Sequence, residues 1–84
     1  MQKQIRNQIL NLSRLIFNEN EFNKILFYLD NDLLVDLRLF IDEKVELLVA
    51  ISEMDGSNNE LNQQITLCNE LEDIVIDAYL EKTM

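Results

Sequence analysis

Proline is absent from this chain, glycine occurs once, at Gly56, and histidine and tryptophan do not occur. Little therefore interrupts helical structure, and strict apolar–polar alternation, the mark of a half-buried strand, is lacking as well. Without histidine, zinc and haem lose their usual nitrogen ligand and a hydroxyl nucleophile loses its usual base. One glycine cannot build a phosphate-binding loop or a dinucleotide fingerprint, and no D-x-D-x-D-G calcium loop occurs. Cys68 is the only cysteine, which rules out an internal disulfide and points to a reducing, cytoplasmic home. These absences imply no metal, no cofactor and no enzyme.

Cations are also scarce. Residues 1 to 18 hold Lys3, Arg6 and Arg14 and no acid, whereas the four cations and sixteen acids from residue 19 onward leave −12. Nucleic acid and anionic membrane are poor ligands for such a field, because binding them depends on neutralising phosphates. A basic protein surface is the favoured partner. The three early cations are expected to pair with acids of the same chain. No apolar run approaches the ~20 residues of a membrane span, and Asn11 and Arg14 interrupt what would be the core of a leader segment. Eighty-four residues form one domain, residues 1–84. A chain this short buries only about 60–65% of its unfolded surface, which leaves little room for an enclosed active site.

What is present is apolar periodicity. Ile5, Ile9, Leu12 and Ile16 predict an amphipathic helix over 2–17. Asn18 with Glu21 forms a capping-box pattern ahead of a short second helix that turns Phe22, Ile25, Leu26 and Leu29 one way. Phe17, Phe27 and Tyr28 add aromatic bulk suited to a core or an interface. Asp30-Asn31-Asp32 ends that helix. Asp55-Gly56-Ser57 punctuates the chain again, with Gly56 suited to a left-handed helix end and Ser57 with Glu60 to a capping box. A last helix then begins at Asn58. Its stripe of Leu61, Ile65, Cys68, Leu71 and Val75 makes Cys68 a core residue, and Thr66 is placed to cap a second piece if 58–82 is divided. The fold expected is all-α, a small bundle of three to four helices.

The central stretch runs from Asp36 to Glu53. Ile41, Val45 and Leu48, with Leu47, Ile51 and Met54 beside them, predict an inward face. Glu43, Glu46, Ala50 and Glu53 form the opposite stripe. Asp42, Glu43 and Glu46 lie within two turns, which costs a few tenths of a kcal/mol per like-charged pair and suggests a use for the charge.

This stretch resembles the acyl carrier proteins of fatty-acid and polyketide synthesis, whose segment has the form D-L-G-L-D-S-L-D-x-V-E-L. Asp36-Leu37, Leu39 and Val45-Glu46-Leu47 fall on that pattern without a gap, and Asp32-Leu33-Leu34-Val35 resembles its approach. Ile65-Thr66, Leu71 and Asp73 are similar to the entry to the family's last helix, after a connecting loop about two residues shorter. The likeness covers roughly residues 25 to 77. Phe40-Ile41-Asp42 replaces the family's D-S-L, so Ile41 stands at the serine that carries the phosphopantetheine arm and cannot accept it. Ser52 and Phe40 stand where acids are usual.

The resemblance implies an acyl-carrier-like bundle without an arm, docking a basic partner such as a synthase component through the 41–54 helix. Phe40, Asp42, Glu43, Glu46 and Glu53 are its candidate docking residues. It also implies an extended loop over 30–39. Helix propensity from Leu33 to Phe40, with Arg38 in place of the family's glycine, favours instead one helix from about 32 to 54; the loop is the expectation adopted. The alternative function is an unrelated acidic helical adaptor, such as a secretion chaperone, immunity protein or anti-regulator, with phenylalanine and leucine positions forming a homodimer or target interface.

Overall fold

A computed structural model describes residues 2–56 and 58–83. Four helices follow one another, α1 (Lys3–Ile16), α2 (Glu19–Asp30), α3 (Leu34–Asp55) and α4 (Asn59–Thr83), with no strand among the described residues. They form a ring. α1 lies against α2, α2 against α3, α3 against α4, and α4 against α1, while the diagonal pairs do not meet. The all-α bundle expected from the composition is thus the architecture, with four helices.

Local chemistry explains where each helix starts and stops. Asn18 Oδ1 accepts from the Glu21 amide at 2.9 Å and the Asn18 amide donates to Glu21 Oε1 at 3.0 Å, the reciprocal box the sequence predicts. At the end of α2 the Leu33 amide donates to the Tyr28 carbonyl at 2.8 Å and the Asp32 amide to the Leu29 carbonyl at 3.2 Å. These two bonds make a Schellman ending. Asp32 takes its left-handed position at φ 59°, which is usually given to glycine and which a short polar side chain tolerates better than most.

Because the whole reversal is completed by Asn31, Asp32 and Leu33, the expected loop over 30–39 is not formed. α3 starts at Leu34, as propensity had favoured. The physical reason is burial: Leu34, Leu37 and Ile41 share one helical face and all three are in the core. An extended chain would turn Leu34 to the opposite face from Leu37 and Ile41. No side chain caps α3, whose N-cap is Leu33.

Gly56 has positive φ as anticipated, but with φ 81° and ψ 150° it lies in the mirror-image extended region rather than the left-handed helical one. Ser57 and its proposed capping box lie outside the described residues. The Asn58 side chain caps α4, its Oδ1 accepting from the Leu61 amide at 2.7 Å. α4 is one continuous helix, and Thr66 bonds back to the Asn62 carbonyl at 3.0 Å rather than capping a second piece.

The core is drawn from all four helices: Ile9 and Ile16, Ile25 and Leu29, Leu34 to Ile41, and the Cys68, Leu71, Val75, Ala78 stripe. Ser13 is the one buried polar residue among the described residues, and its hydroxyl donates to the Ile9 carbonyl at 2.6 Å, which makes it tolerable there. α1 runs antiparallel to α4, its start held by Gln2 on Glu81. At that same end Arg6 pairs with Asp30 at 2.8 Å and Lys82 with Asp32. At the other end, the α1–α2 turn reaches α3 only as far as Phe40 and Lys44, through Phe17 and Glu21. The remaining three turns of α3, and the part of α4 beside them, project beyond the α1–α2 pair.

That projection corrects one expectation. Leu47, Ile51 and Met54 are not inward-facing; they are 55%, 39% and 84% exposed. Their side of the helix turns toward the space that α1 and α2 are too short to occupy.

Candidate docking surface

The predicted docking residues belong to α3, and a 100° step per residue distributes them around it. Glu43, Glu46 and Glu53 share the outward stripe with Ala50, and all four are exposed. Leu39 heads the same stripe and is exposed. Three carboxylates over about 15 Å, with a leucine at one end, make a surface that a basic partner can read.

Asp42 and Phe40 are carried to opposite flanks. Asp42 is exposed on the side of α4, where Arg38 Nε stands 4.0 Å from Glu72 Oε1. Burial chiefly, then the charge of Asp42, raises the Glu72 carboxyl above its ordinary pKa, against the opposing pull of Arg38. Phe40 faces α2 and is half-buried. Its ring stacks on Phe17 with centroids 5.5 Å apart and meets Tyr28 at 5.9 Å, with the Lys24 ammonium 5.9 Å from its centre. Phe40 therefore joins α2 to α3 and offers only part of its ring to a partner. The fourth ring, Phe27, touches Tyr28 edge-on and is mostly exposed.

Ile41, at the position of the family's modified serine, has no exposed surface. In this helix phase, position 41 points into the bundle, between Leu37 and Leu48 on the buried face.

In the sequence Lys44 stands between Glu43 and Glu46. In the fold it is a half-buried cation, 3.5 Å from Glu21 Oε1 and 5.6 Å from the centre of the Phe17 ring. Its spacing from Ile41 and Leu48, three before and four after, is the signal that places it on the flank of the buried stripe. Its charge also bears on Cys68. Burial pushes that thiol up to about 11, with Lys44 opposing the rise and Glu21 and Glu72 adding to it, so Cys68 is an inert core residue rather than a reactive one.

Of the three early cations expected to pair with acids, only Arg6 does so among the described residues, with Asp30; the Arg14 guanidinium lies instead 4.9 Å from the centre of the Phe22 ring. Among the described residues no three acids or cysteines converge to hold a metal ion, and no helix is long and apolar enough to cross a membrane. No family model, curated protein or solved structure matches this chain.

Proposed function

We propose that this protein is a non-catalytic acidic docking module, which binds a basic protein surface through the outward face of α3 and carries no prosthetic arm. One observation supports this above the others. Among the described residues Asp30, Asp32, Glu21 and Glu72 are engaged in ion pairs and the other twelve acids form none; of these twelve, Glu43, Glu46 and Glu53 share one exposed stripe of α3, headed by the exposed Leu39. Unpaired like charge on one face is a small stability cost without internal return and a ready source of long-range attraction.

Two features favour the adaptor form of this reading, of the secretion chaperone, immunity protein or anti-regulator kind, over the acyl-carrier form. The acyl-carrier form needs position 41 at the surface and an extended segment before it; Ile41 is in the core and residues 34–40 are helical. What the two forms share is the docking helix.

The test is affinity capture from the source cell with the wild-type chain and with Glu43→Lys/Glu46→Lys as baits. A partner that binds the first, is lost by the second and weakens as salt shortens the screening length from ~10 Å at 0.1 M to ~3 Å at 1 M supports the reading. The same reversal should change stability by only about 0.5 kcal/mol, since both side chains point to solvent. Capture that survives the reversal but is abolished by changing Lys3, Arg6 and Arg14 to glutamine would move the recognition surface to α1.

A further inference from the structure

The α1–α2 pair completes a four-helix bundle around the first half of α3 and then stops. Beyond Lys44, α3 continues for about 16 Å with α4 alone beside it. The face of that hairpin tip which would meet α1 and α2, were they longer, carries Leu47 and Ile51 one turn apart, with Met54 next to them, all exposed. Two shallow hollows lie along it. One, of about 140 Å³, is bounded by Phe17, Glu21 and Leu47 where the α1–α2 turn ends. The other, of about 210 Å³, lies between Ile51 and Asp55 of α3 and Glu60 and Gln64 of α4. Phe17 and Leu47 supply apolar lining to the first, and Ile51 and Leu61 to the second, whose rim is otherwise polar.

Charge selects the occupant. From residue 45 to residue 63 the chain has four acids, Glu46, Glu53, Asp55 and Glu60, and no lysine or arginine. Lys44, at the mouth of the first hollow, is already engaged by Glu21. A second copy of this chain laid tip to tip would double that negative charge within a few ångströms, which opposes self-association. An amphipathic helix with an apolar stripe and cationic flanks meets both requirements: leucine-like anchors on Leu47 and Ile51, and lysines or arginines toward Asp55, Glu60 and Glu43.

We infer that the uncovered face of the hairpin tip, centred on Leu47 and Ile51, is a groove for a basic amphipathic α-helix of a partner protein, which continues the bundle where α1 and α2 end. The inference rests on the reading of α3 as a docking helix and adds to it the apolar anchor and the partner's secondary structure.

The probe is a fluorescein-labelled peptide of about 14 residues, about 21 Å as a helix, with leucine at i, i+3, i+4 and i+7 and lysine on the remaining faces. Its control has the same composition with the leucines scattered. With the full chain, the striped peptide should bind about tenfold tighter than the control and shift the amides of 47–54 and 60–64. Leu47→Gln/Ile51→Gln should weaken it about tenfold, the loss of one or two buried anchors, without lowering the melting temperature. Equal binding of the two peptides would overturn the inference. So would amide shifts centred instead on the groove between Val35 and Tyr79–Leu80 at the opposite end of the α3–α4 pair. A wild-type dimer by light scattering that the glutamine pair dissociates would assign the face to a second copy and overturn it too. If Glu43→Lys/Glu46→Lys abolishes peptide binding and the glutamine pair does not, the outward stripe stands and the groove falls. If the glutamine pair abolishes it and the reversal has no effect, the groove stands and the outward stripe falls.

Discussion

The two halves of α3 are nearly equal in apolar content and unequal in fate. In the first, Leu34, Leu37 and Ile41 are buried and Val35 and Leu39 exposed; in the second, Leu48 alone is buried, while Leu47, Val49, Ile51 and Met54 are exposed. Both halves have the same partner in α4, so the difference lies in what stands across the pair. α1 and α2, at 14 and 12 residues, are shorter than the 22 and 25 residues of α3 and α4. A helix's own pattern nominates its inward side chains, and the length of its neighbours decides how many are accepted.

The sharpest way to separate the halves is a matched pair of truncations. Ile41→Ala should destabilise the protein by about 2–5 kcal/mol, because it opens a cavity among fully buried neighbours, while Ile51→Ala should change stability by about 0.5 kcal/mol or less. Urea denaturation of both variants measures the contrast. Equal losses would mean that the tip is packed as firmly as the closed half.

A smaller effect probes how the tip is turned. Added at Gly56, a Cβ meets no atom within 4 Å, so space does not require glycine there; the backbone does. Gly56→Ala should cost about 1–3 kcal/mol. Gly56→Asn should do no better, because ψ 150° lies outside the left-handed helical basin that asparagine tolerates. Thermal melts of the two variants decide this, and rescue by asparagine would place the residue in that basin after all.

The smallest effect concerns the wall of the closed half. Glu72 has its carboxyl pKa raised in the fold, by burial first and the charge of Asp42 second. A carboxyl raised in this way opposes folding once the pH passes its unfolded value, and the opposition disappears as the pH falls and the group is protonated in both states. Glu72→Gln should therefore stabilise the protein near neutrality, by an amount that shrinks to nothing below the ordinary carboxylate range. Melting temperatures of both proteins between pH 3 and pH 8 check the sign.

Much of this architecture was legible in the residues. The Asn18–Glu21 box, the α1 stripe through Ile9 and Ile16, and the α4 stripe through Leu61, Cys68, Leu71 and Val75 all appear where spacing put them. The 30–39 segment departs from the expected loop because its residues favour helix and Leu34, Leu37 and Ile41 carry a helical period that outweighs the likeness. Leu47, Ile51 and Met54 were misplaced for another reason: nothing in a helix's own sequence states how far its neighbours extend. For the docking residues, the stripe of Glu43, Glu46 and Glu53 follows from the helical period alone. The separation of Phe40 and Asp42 onto opposite flanks required knowing where α2 and α4 lie.

The ring order of the helices has a kinetic side. Three of its four neighbouring pairs are consecutive in the chain and joined by links of two or three residues; only the contact of α1 with α4 closes across the sequence. Short closures lose little chain entropy, so helical hairpins of this kind assemble on the microsecond to millisecond scale. Seating α1 against α4 is the one step that must wait for distant segments to meet. Interactions made there, where Ile9 and Val75 are buried, are expected to form late, and weakening them should then speed unfolding far more than it slows folding. The lifetime of the native state should then be most sensitive to substitutions along the α1–α4 seam, which stopped-flow unfolding measures.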